Sequence, residues 1–194
     1  MNHSICFEYL LDRDICQDAL DTFNHVFEKE LEEEGSVEVS EKNCIKYAEK
    51  FDWECASRKL LSFKQRDLFN SLIKKSKHTY TETENEEFDI YSAIERPAFE
   101  KFIKPINEQW DKFWNHDNTL WNKVLSGVIT WEEFNAIVKN DEDIIKKNEA
   151  EAKEKYNAIK GPAHDVYLKK ITIAGAIKDG VLAKSFAISF NSSY

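Results

Sequence analysis

Glycine and proline are scarce in this chain, at 5 and 3 among 194 residues, about a third of their usual combined share. Tight turns and crossovers lean on these two residues, so long helices are favoured over a many-stranded sheet. The same scarcity argues against a phosphate-cradling loop. The nearest approach, Gly175 and Gly180, is followed by Val181 and Leu182, not by the lysine and hydroxyl residue such a loop needs. No stretch approaches about 18 apolar residues, so no membrane span is expected. Residues Met1 to Glu8 carry neither a basic region nor an apolar run, and no secretion signal is read there. The four cysteines, Cys6, Cys16, Cys44 and Cys55, match no zinc template. They are read as reduced thiols on apolar faces, in a cytoplasmic protein.

What the chain does have is acid and aromatic surface. The net charge is −9, which disfavours direct binding to DNA or RNA, because phosphate contacts need clustered cations. The charge is unevenly spread. Glu28 to Glu54 holds ten acids against four bases, and Glu82 to Glu100 holds seven against one. Arg58 to Lys77 reverses this, with seven bases against one acid. Solvated helix faces explain such runs, and an acidic surface also suits a partner that carries a basic one.

Four of five tryptophans, Trp110, Trp114, Trp121 and Trp131, fall within 22 residues. They straddle a break at Gly127. Before it, Ile106, Trp110, Phe113, Leu120 and Val124 recur at steps of four and three, with Asp117 the polar slot, and predict a helical seam. After it, Thr130 and Glu133 form a capping box. Phe134, Val138, Ile145, Ala152, Tyr156 and Ile159 then give a second helix its stripe, ended by Gly161 and Pro162. A turn this short makes the two helices antiparallel.

Upstream, Ile5 to Leu11 reads as a first strand or a helix start. Asp12 or Asp14 is expected to cap a helix that carries Ile15, Ala19, Phe23, Val26 and Leu31 and stops at Gly35. Ser40 caps a second helix, and Ser62 with Gln65 forms another capping box. Residues 76–87 are polar and read as an exposed loop. At the other end, Val166 to Lys178 and Val181 to Phe190 are β-branched and aromatic around Asp179 and Gly180. This predicts a two-residue β-hairpin, with the N-terminal segment as its third strand. The expected fold is α+β, helix-dominant and single-domain over 1–194. Its sub-regions are 1–75 (strand and helices), 76–87 (loop), 88–160 (helical hairpin) and 166–190 (β-hairpin).

Candidate chemistry is sparse. Gly127 to Glu133 resembles the second half of a calcium-binding EF-hand loop, with its glycine, threonine and terminal glutamate. Asn122, Val124 and Ser126 occupy the earlier ligand positions, and Val124 has no ligating atom, so no metal is expected. His25 has Asp21 and Glu28 nearby, which is half a metal site without a second half. His3, His78 and His116 are scattered. His164 and Asp165 follow Gly161 and Pro162, where a loop would suit catalytic residues, and they anchor an alternative reading as an enzyme whose site is assembled from distant residues. The leading expectation is a non-enzymatic interaction protein with no cofactor, an inhibitor or modulator of a larger, basic, nucleic-acid-processing protein, of the phage anti-defence or immunity kind. Its expected contacts are Glu82, Glu84, Glu86, Glu87 and Asp89, with Trp121 and Trp131 as aromatic anchors.

Overall fold

The structure, a computed structural model, describes residues 3–192. In chain order it comprises β1 (Ser4–Ile5), α1 (Phe7–Leu11), α2 (Gln17–Val26), α3 (Glu28–Glu34), β2 (Val37–Glu38) and α4 (Glu41–Lys46). A 3-10 turn (Ala48–Lys50), α5 (Trp53–Leu60) and α6 (Phe63–Ala98) follow. A π-helical segment (Phe99–Ile103), α7 (Lys104–Leu125) and α8 (Trp131–Phe190) complete it. Its contacts form two compact units, Met1–Asn85 with Lys170–Tyr194, and Glu86–Lys169. Helix dominates, as expected. No helix among the described residues is long and apolar enough to cross a membrane.

The first unit is built around the end of α8. Leu182, Ala183, Ser185, Phe186, Ala187 and Ser189 are all buried there. This stretch is covered over most of its circumference, with Lys184 exposed, and it uses small residues so that neighbours can approach. Phe69 and Ile73 of α6 pack into the same core, as does Trp53 of α5, whose ring lies 5.3 Å from that of Phe186. Phe27 and Phe51 stack at 5.9 Å. Each fully buried ring of this kind contributes about 1.5–3 kcal/mol of transfer free energy. Local signals shape the edges. Ser40 Oγ accepts from Asn43 N at 3.3 Å and Asp52 caps Cys55 N at 2.9 Å. Ser62 and Gln65 exchange the two bonds of a capping box. Gly35 ends α3 at φ +69°, a conformation that favours glycine.

The second unit is an antiparallel helical hairpin. Residues 86–125 run as helix through the π segment, which lies between Pro97 and Pro105, where missing N–H groups interrupt the regular ladder. The predicted seam is present. Ile106, Phe113 and Leu120 are buried against Phe134, Ile145 and Ala152. Polar pairs lock the register. Trp110 Nε1 donates to Glu149 at 3.2 Å, Asn148 donates to Gln109 at 3.2 Å, and His116 pairs with Asp141 at 3.3 Å. The Tyr156 hydroxyl donates to Glu95.

Several expectations are overturned. The C-terminal β-hairpin is absent: residues 166–190 belong to α8. Sheet pairing is instead β1 with β2, antiparallel, Ser4 opposite Glu38 and Ile5 opposite Val37. Of the expected first strand only Ile5 is paired in the sheet, and Phe7–Leu11 is helical. Residues 76–87 are helix, not loop. Tyr80 supplies the anchor there: its ring lies 3.9 Å from where a Cβ on Gly175 would sit, with Lys178 Nζ 4.4 Å above its centroid. Lys77 adds a pair with Glu54 at 2.8 Å, and once started a helix adds further residues at little cost. Gly161 and Pro162 lie inside α8 and do not end a helix. Asp12 and Asp14 cap nothing at the start of α2, where Cys16 is the N-cap, and Asp14 takes a positive φ of 53°.

Candidate interaction surface

The turn between α7 and α8 sets the geometry of the aromatic group. Gly127 adopts φ +71°, and Val128 N returns to Lys123 O at 2.9 Å. Thr130 N and Oγ1 both donate to Glu133, whose own N–H donates back to Thr130 Oγ1 at 3.1 Å. The same residues that echo an EF-hand are therefore spent on a cap, and Glu133 points at the backbone. Trp131 then stacks on the buried Phe134 at 5.1 Å, and Trp121 meets both rings edge-on at 5.4 and 5.8 Å.

Phe134 forms a floor, leaving the tryptophans half in solvent, Trp121 43% and Trp131 49% exposed. Trp114 is 58% exposed and Leu125 69%. Trp114, Trp121 and Leu125 are seven and four apart, so they line one face of α7. Trp114 stacks at 6.3 Å on Trp110, which is itself held on the seam. A two-helix hairpin has only one seam, and apolar side chains on its outer faces have nothing within the unit to cover them.

The five acids are placed on α6. Glu82, Glu86 and Asp89 are exposed at steps of four and three and share a face, with Glu82 paired to His78 at 3.1 Å. Glu84 and Glu87 are half-buried on another. Glu82 and Glu84 belong to the first unit, whereas Glu86, Glu87, Asp89 and the tryptophans belong to the hairpin unit. Within the hairpin unit, Asp89 and Trp121 are separated by 32 residues of helix, about 48 Å at 1.5 Å per residue.

The remaining candidates are dispersed. His164 and Asp165 both lie inside α8. Adjacent helical residues diverge by about 100°, so the two do not converge on one point. His164 is half-buried against Tyr91 and Tyr167, at 5.7 and 6.3 Å between centroids, while Asp165 is exposed. His25 ends α2 and Glu28 begins α3, so they no longer share a helix. Among the described residues no group of three or more His, Cys, Asp or Glu side chains is placed to hold a metal ion. Burial pushes the Cys44 thiol up to about 12, whereas Cys16 is exposed at the edge of an apolar cavity.

Two features carried no recognisable sequence signal. One is a shallow groove in the hairpin unit, where Ile90 and Ile94 of α6 face Ile159, Pro162 and Val166 of α8. Ile90 and Ile94 follow a helical pattern, and nothing in that pattern says whether a third layer exists to cover them. The other is an apolar cavity in the first unit, formed by residues from seven separate elements. Comparison with known protein families, with curated proteins and with solved structures returns no significant match for this chain.

Proposed function

We propose that this chain is a non-enzymatic interaction protein that docks through the outer aromatic face of its helical hairpin. The observation that carries the reading is the exposed stripe Trp114, Trp121 and Leu125, joined at the turn by Trp131. Contiguous exposed aromatics of this kind mark contact surfaces, and tryptophan is the residue type most enriched among binding hot spots. The rigid turn supports it, because a capping box and a buried phenylalanine hold two of the rings in place before any partner arrives.

The partner is a protein with a basic surface. The hairpin unit, Glu86–Lys169, holds 17 Asp and Glu against 12 Lys and Arg, and the chain as a whole carries −9. Such a field speeds encounter with a cationic surface, while the aromatic stripe supplies the short-range affinity. Inhibition or modulation of a larger partner follows if the stripe covers that partner's working surface. Within the hairpin unit, Glu86, Glu87 and Asp89 lie too far along the helices from Trp121 and Trp131 to share one standard footprint of about 800 Å² per side. They act as steering charge, and the stripe acts as the anchor.

The test is affinity capture from the native host with the wild-type chain and with Trp114→Ala/Trp121→Ala, followed by mass spectrometry. A basic protein retained by the wild type and lost by the double variant at unchanged helicity is the expected result. Identical recovery by both forms, or binding of the stripe to neutral lipid vesicles instead of protein, removes the proposal.

A further inference from the structure

The first unit holds a half-open cavity of about 220 Å³, lined from β1, α1, α2, β2, α4 and α5 and by Phe186 of α8. Its walls are almost wholly apolar, and aromatic rings from Phe23, Phe27, Phe51 and Trp53 dominate them. A cavity of roughly 150 Å³ lined by such side chains stays dry and accepts a single benzene ring. The larger volume here suits two fused rings.

The polar groups at the rim decide what charge can enter. Glu38 and Asp52 line the cavity and are exposed, and neither lysine nor arginine is among the lining residues. Asp52 is occupied in capping Cys55 N at 2.9 Å, and the Asn43 amide donates to the Glu38 carbonyl at 3.1 Å. The Trp53 indole N–H is likewise used, by Ala48 O at 2.8 Å. An entering anion would give up its hydration with no lysine or arginine in the lining to replace it, which disfavours fatty acids and phosphates. A neutral ring system loses nothing by leaving water and gains contact with rings on several sides.

We propose that the first unit binds one small, uncharged, bicyclic aromatic molecule of about indole's size in this cavity. Every lining residue lies in the first unit, so the site stands independently of the hairpin surface.

Calorimetric titration of the full chain with indole, and with octanoate as the anionic control, tests this. Indole is expected to bind saturably and raise the melting temperature, with octanoate at least about tenfold weaker. Ala19→Leu and Ala56→Leu, made separately, each place a leucine in the cavity from a different helix. Either, with helicity retained, is expected to weaken indole about tenfold or more. A measurement on the wild type covers the case in which both variants misfold. Cys16 and Cys55 line the cavity, and saturating indole is expected to slow their alkylation. Absence of saturable indole binding, unchanged affinity in a folded filled variant, tighter binding of octanoate, or unprotected thiols would each overturn the proposal.

Discussion

Cys44 and Cys16 show how far burial alone separates two identical side chains. Cys44 is buried in the core of the first unit, where loss of hydration disfavours the thiolate and moves the thiol from 9.0 up to about 12. Cys16 sits in solvent at the start of α2. Alkylation of the native protein at pH 8, mapped by mass spectrometry, should therefore modify Cys16 readily and leave Cys44 intact. The linkage has a definite sign. A group whose folded value is raised supports folding fully below its unfolded value and loses that support as pH rises through the folded one. Cys44 thus adds a loss of stability between about pH 9 and 12. Tyr156 adds another between 10 and about 12, because partial burial, and then its bond to Glu95, holds the phenol neutral. Glu149 works in the opposite direction. Bonds from Lys153 and Trp110 lower its value, so its support is present above the ordinary carboxylate range and fades as pH falls below 4.5. Denaturation followed across pH should show both flanks, and Cys44→Ala should shrink the alkaline one. An unaltered alkaline flank in that variant would mean the thiol is not the cause.

At the scale of elements, α8 is the instructive failure. Alternation of β-branched residues over 166–190 resembles two strands, yet the segment is helical throughout. The reason lies in which side chains face inward. The contact face uses Ala174, Gly175, Ser185 and Ser189, small residues that hydropathy patterning passes over, while Ile173 and Ile177 point to solvent. Close helix packing selects small groups, and a pattern that looks only for large apolar residues reads the wrong face. Gly180 discriminates between the two structures. In the helix its φ is not positive, and a Cβ added there meets nothing within 4 Å. Gly180→Ala should then raise stability by about 0.5–1 kcal/mol in urea titration. In a two-residue hairpin turn the same change would lower it, because positive φ penalises alanine. By contrast, the seam of α7, the box at Thr130 and Glu133, and the stop at Gly127 were legible, since each depends on residues within two turns of one another.

For the molecule as a whole, charge and aromatic surface work over different ranges. The acids Glu82, Glu86 and Asp89 are exposed on one face of α6, and their influence reaches a partner within a Debye length of about 8 Å at physiological salt. Once the captured protein is in hand, Glu82→Gln/Glu86→Gln/Asp89→Asn should slow association and flatten its salt dependence while leaving dissociation nearly unchanged. The tryptophan variants should do the reverse and speed dissociation. On-rates indifferent to the charge changes would eliminate the steering role without touching the anchor. Acids and tryptophans looked like one site in the sequence because both are dense between residues 82 and 131. Within the hairpin unit helical geometry pulls Asp89 and Trp121 apart, since each helical residue between them adds about 1.5 Å of rise.

The chain's own chemistry decided what short-range physics can decide. Too little glycine and proline to turn often made it helical, the hydroxyl and glutamate at Thr130 and Glu133 started α8, and the left-handed glycine at 127 ended α7. Tertiary structure alone decided which faces are covered. It made Ala183 and Ser189 core and Ile177 surface, carried α6 through a polar stretch with Tyr80 against Gly175 and Lys77 against Glu54, and assembled an aromatic-walled cavity from seven separate elements. Burial depends on what lies opposite, and a one-dimensional pattern contains no information about the opposing surface.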